Sequence, residues 1–77
     1  MLKLDSFIFS AEAEGAINEL ITRLRLFSKM IKKNEEPSTF AVLKEDEVLE
    51  INISVNTAKG KVNVKLDIPQ DHWEYAN

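Results

Sequence analysis

Between residues 47 and 68 the chain alternates apolar and polar side chains almost without a break, and this pattern constrains the fold more than any other feature. In residues 47–57, Leu49, Ile51, Ile53 and Val55 face one way, and Val48, Glu50, Asn52, Ser54 and Asn56 the other. Residues 61–68 repeat the pattern, with Val62, Val64, Leu66 and Ile68 set against Lys61, Asn63, Lys65 and Asp67. A period of two belongs to a pleated strand with one face buried. Ala58-Lys59-Gly60 is a short enough connection for a hairpin, and Gly60 accepts a positive φ. Two such strands side by side present one wide apolar face that another layer must cover.

Residues 11–34 supply the cover, because there the period changes to that of a helix. Ile17, Leu20, Ile21, Leu24, Phe27 and Ile31 fall within one stripe about 120° wide, with Ala13 and Ala16 inside or beside it. Ser10 stands where an N-cap belongs, Phe9 before it is half of a hydrophobic staple, and Pro37 closes the segment. Gly15 weakens this helix by about 1 kcal/mol relative to Ala. Residues 39–44 read as a strand apolar on both sides, joined to the next by Glu45-Asp46. Residues 1–9 read as a strand with Leu2, Leu4 and Ile8 on one side and Lys3, Asp5 and Phe7 on the other. The expected fold is α+β: a two-layer β-α-β-β-β sandwich, one long amphipathic helix on a four-stranded, mostly antiparallel sheet. Residues 1–77 form a single domain with a short tail at 70–77, and the first strand lies beside either the second or the fourth.

Composition removes whole classes of function. With 77 residues, 44% hydrophobic and 30% charged, the chain builds one real core rather than a disordered segment. No stretch approaches the roughly 20 apolar residues of a membrane span, and Lys3 and Asp5 interrupt the N-terminus, so neither a transmembrane helix nor a signal peptide is expected. The absence of cysteine excludes disulfides, thiolate metal sites and a Cys nucleophile, and a cytoplasmic domain follows as the expectation. The one histidine, His72, between Asp71 and Trp73, reads as a surface residue rather than a base, because sequence neighbours rarely point together. Glu45-Asp46-Glu47 lacks calcium-loop spacing, and Ala58-Lys59-Gly60-Lys61 lacks the first glycine and the helix of a phosphate loop. No enzyme, cofactor, metal or small-molecule ligand is expected.

Charge is distributed unevenly. Arg23, Arg25, Lys29, Lys32 and Lys33 carry +5 with no acid among residues 22–33; subtracting that from the net −3 leaves −8 on the rest. Acids early and bases late in a helix already suit its macrodipole. Arg25, Lys29, Lys32 and Lys33 nonetheless share one outward face, a candidate for an anion or nucleic acid, although the acidic balance of the whole chain opposes that class. Leu26 and Met30 lie roughly 150° and 110° from the centre of the buried stripe. Flanked by Arg23 and Lys33, they form an apolar centre with a charged rim, the anatomy of a protein contact. Trp73 and Tyr75 in the tail are either a lid folded onto the edge of the sandwich or a second interface.

The expectation is therefore a small non-enzymatic protein-interaction or regulatory module that binds a protein partner or itself, a homodimer included. Compact acidic chains of this size are frequent among accessory and inhibitor proteins of phages and mobile elements. The alternative is a nucleic-acid-binding regulator using the basic helix face. The β-α-β-β-β order is common to many unrelated domains and carries no function by itself.

Overall fold

A computed structural model describes residues 2–30, 36–57 and 60–76, with the side chains of residues 28–30 outside that description. The fold is α+β, with one helix and two antiparallel sheets. In chain order it runs β1 (Phe7–Phe9), α1 (Ala11–Met30), β2 (Ser38–Leu43), β3 (Leu49–Thr57), β4 (Gly60–Ile68) and β5 (Trp73–Tyr75). β2, β3 and β4 form a meander in that order, and β1 pairs with β5 in a separate two-stranded ribbon.

The meander follows the alternation in the sequence. Leu49, Ile51, Ile53 and Val55 are buried on one face of the central strand β3, where Ala13, Ile17 and Leu24 of α1 join them in the core. Removing a side chain such as Leu49, Ile51 or Ile53 from water contributes roughly 1.5–3 kcal/mol each. The β3–β4 register pairs Thr57 with Gly60 across the hairpin, and Gly60 takes φ +126°, a region closed to most residues with a Cβ. The β2–β3 connection solves its geometry differently. Asp46 and Glu47, with φ of 61° and 59°, are both left-handed, although neither is glycine.

The helix begins where the sequence places it. Ser10 Oγ accepts the Ala13 amide at 3.1 Å, and the Ser10 carbonyl accepts the Glu14 amide at 2.9 Å. Leu24 is the last buried residue of α1 among those described, and Phe27, expected within the buried stripe, is 41% exposed. A position within the stripe therefore does not by itself bury Phe27. Ile31, the last member of the expected stripe, falls outside the described residues.

Residues 1–9 depart from the single strand read in the sequence. Leu2 forms one antiparallel bridge with Ala41 on the outer edge of β2, and a 3-10 turn then spans Leu4–Ser6. Three residues without a pleat reset the alternation. Phe7 is consequently buried and Ile8 is 51% exposed, the reverse of the expected facing. The four-stranded sheet is thus replaced by a three-stranded one, because β1 leaves it to pair with the tail. β5 answers β1 in register, with Phe7 opposite Tyr75, Ile8 opposite Glu74 and Phe9 opposite Trp73.

Candidate functional site

Arg23, Leu26, Met30 and Lys33 were expected to share one contact face with Arg25, Lys29 and Lys32 beside them. Leu26 is 56% exposed, and Phe27 next to it adds a second large apolar side chain to the surface. The helical wheel places Phe27 in the core, because a wheel gives angle and not burial along the axis. The two described cations of this region are both engaged. Arg23 meets Glu19 at 2.6 Å, one helical turn earlier, and Arg25 meets Glu36 at 2.9 Å. Both pairs are exposed, so each contributes only a few tenths of a kcal/mol. Their consequence is for charge: each guanidinium already has a carboxylate. Lys32 and Lys33 lie outside the described residues, as do the side chains of Lys29 and Met30.

The tail closes on the body of the protein. Trp73 is buried, and its Nε1 donates to the Glu47 carbonyl at 3.0 Å, which satisfies the one polar atom of the indole. Its ring meets Phe7 edge-on at 5.5 Å and Tyr75 edge-on at 5.3 Å. Trp73 therefore folds back as a lid, the first of the two alternatives for the tail, rather than projecting as an outward anchor. Tyr75 is 58% exposed and remains on the surface beside Phe7, with ring centroids 5.7 Å apart.

The open face of the meander carries Glu50, Asn52 and Ser54 of β3 between Phe40 and Val42 of β2 and Asn63, Lys65 and Asp67 of β4. Phe7, expected on the Lys3 and Asp5 side of a sheet strand, belongs instead to the β1–β5 ribbon. Asn52 and Ser54 are buried, Asn52 between its cross-strand neighbours Phe40 and Lys65. Asn52 Nδ2 donates to Glu50 Oε1 at 3.1 Å, and Lys44 Nζ lies 3.5 Å from Glu50 and 3.6 Å from Asp67. The Asn52 hydrogen bond first, then the charges of Lys65 and Lys44, hold the Glu50 carboxyl below its usual range against an opposing desolvation effect.

One contact of catalytic type was not anticipated. Ser10 Oγ and His72 Nδ1 are hydrogen-bonded at 2.8 Å, although they are 62 residues apart in sequence. A serine–histidine pair at this distance is the first element of a nucleophilic site. Here the same Ser10 oxygen accepts the Ala13 amide as the cap of α1, and the Ser10 amide donates to the His72 carbonyl at 2.9 Å. The contact thus ties the tail to the start of the helix. Sequence signals for each residue existed separately, a cap and a lone histidine, but nothing local joined them. Among the described residues no group of three or more His, Asp or Glu side chains is placed to hold a metal ion, and no helix is long and apolar enough to cross a membrane.

Comparison with family models, curated proteins and solved structures finds no match for this chain.

Proposed function

We propose that this chain is a small non-enzymatic module that binds a protein partner through the exposed end of α1, centred on Leu26 and Phe27, as an accessory or inhibitor protein of the cytoplasm would. The observation that supports this reading is the exposure of Leu26 at 56% and Phe27 at 41%, about 100° apart around the same end of the helix, just after the buried Leu24 at 7%. Large apolar side chains grouped at one place and rimmed by charged residues are the usual composition of a protein contact. The rim is formed by the Arg23–Glu19 and Arg25–Glu36 pairs, which present both signs of charge. Such a rim suits a protein with its own mixed polar edge. It suits a phosphate backbone less well, because Glu19 and Glu36 place negative charge beside Arg23 and Arg25.

The test replaces Leu26 and Phe27 together with Ser and follows the size of the native complex by gel filtration of cell extract. Leu26 is the more exposed of the two and Phe27 is still partly covered, so the double variant should stay folded at a cost of about 1–2 kcal/mol, checked by circular dichroism. The wild-type chain should elute within a larger complex and the double variant as the free protein. Unchanged elution of the variant contradicts the reading. Labelled DNA or RNA should not shift at low salt, and a complex that weakens steeply with salt would favour the basic-face alternative instead.

A further inference from the structure

We infer that a second copy of this chain adds to the outer edge of β4, joining two meanders into one six-stranded antiparallel sheet with Val64 on the two-fold axis. β4 is a terminal strand of the meander, and among the described residues no strand pairs with its outer side. It runs nine residues in unbroken register with β3, from Gly60 to Ile68, with no bulge or internal proline, and Lys61 and Lys65 are its edge-protecting charges against an unmatched partner. The tail does not cover it. After Ile68 the chain crosses beneath the start of α1, where His72 meets Ser10, and reaches Glu47 through Trp73.

The backbone groups that would pair can be identified. Ala41 exchanges both of its hydrogen bonds with Leu2, so it points away from β3, and Phe40 and Asn52 are a bonded pair. Alternation across the sheet makes Ile51 with Leu66 and Ile53 with Val64 the bonded pairs between β3 and β4. Lys61, Asn63, Lys65 and Asp67 consequently direct their N–H and C=O groups to the free edge. An antiparallel copy centred on Val64 sets Lys61 opposite the partner's Asp67, and Asn63 opposite the partner's Lys65. Each of these pairs is of the bonded type and exchanges two N–H···O bonds.

Charge selects this register over its neighbours. Moving the axis to Lys65 sets that lysine against itself, and moving it to Asn63 sets Lys61 against Lys65; both place like charges directly opposite. Centred on Val64, the arrangement instead makes two Lys–Asp pairs, with Asp67 also 3.6 Å from Lys44 of its own chain. The other face of β4 gains as well. α1 lies over β3 and leaves Val62, Val64 and Leu66 only half-buried, and the same register sets Val62 beside the partner's Leu66 and Val64 beside its own copy. An axis perpendicular to the sheet puts both helices on one face of the joined sheet. This inference uses a different surface from Leu26 and Phe27, so either can fail alone.

Sedimentation equilibrium of the purified full chain tests it, with a mass twice the 8.8 kDa of one chain expected. Asn63→Pro removes an outward amide without touching a bond to β3, so it should give a folded monomer by circular dichroism. Lys61→Glu alone and Asp67→Lys alone each turn both ion pairs repulsive and should weaken the dimer about tenfold or more. Mixed in equal amounts, those two variants regain both attractive pairs and should form a heterodimer preferentially. A wild-type chain that stays monomeric at millimolar concentration overturns the inference. So does a folded Asn63→Pro chain that still dimerises, or a mixture of the charge variants that associates no better than either alone. If Asn63→Pro does not fold, the charge mixture decides.

Discussion

Ser10 Oγ takes part in two contacts at once, accepting the Ala13 amide and meeting His72 Nδ1, so a single hydroxyl fixes both the start of α1 and the tail. Ser10→Ala should destabilise the fold by about 1–2 kcal/mol, the sum of a lost cap and a lost hydrogen bond. His72→Ala should cost about 1 kcal/mol. Because the two side chains meet, the double variant should fall short of additivity by about 0.5–1 kcal/mol in denaturant unfolding; strict additivity would show that the contact carries no energy. Glu50 gives a pH prediction. Its carboxyl is held below the usual range in the folded chain, chiefly by Asn52, so its stabilising contribution is full above the ordinary glutamate range. That contribution disappears as the pH falls through the lower folded value. The stability difference between wild type and Glu50→Gln should therefore shrink on acidification below that range, and a difference independent of pH would contradict the assignment. The sequence placed Ser10 as a cap correctly from local chemistry, but the partner of that cap required knowing where the tail goes.

At the scale of elements, the parts with long periodic patterns were legible, as was the six-residue β2, and the two three-residue strands were not. α1, β3 and β4 each repeat their pattern over at least two helical turns or eight strand residues, and the structure places them within a few residues of the expectation. β1 and β5 are three residues each, too short for alternation to distinguish strand from loop. Their pairing depends on Trp73 finding Phe7, a contact that spans most of the chain, and the Glu47 carbonyl, 26 residues away. The inverted facing of Phe7 and Ile8 has the same origin, since one 3-10 turn reverses an alternation that sequence alone extends through it. The surface end of α1 was legible at Leu26 and not at Phe27, because the wheel gives angle and not burial along the axis. Gly15 allows a prediction at this scale. A Cβ built there meets nothing within 4 Å and the backbone is helical, so Gly15→Ala should stabilise the protein by about 1 kcal/mol. Thermal unfolding checks it, and an unchanged or lower midpoint would contradict a regular helix through that position.

For the whole molecule, one layer of helix on three strands leaves two kinds of surface unfinished. One is the apolar end of α1 and the other is the free edge of β4. The net charge of −3 conceals this arrangement, because the basic end of α1 carries its own acidic partners in Glu19 and Glu36. Its described arginines are paired and two large apolar side chains of the helix are exposed, the two observations on which the proposed protein contact rests. The most direct measurement is site-specific photo-crosslinking in living cells. A photoreactive side chain at Leu26 is compared with one at Glu12, which is exposed on the same helix about 21 Å away. The account predicts a discrete protein adduct from position 26, lost when Phe27→Ser is added, and none from position 12. Equal labelling from the two positions, or none from either, would contradict it.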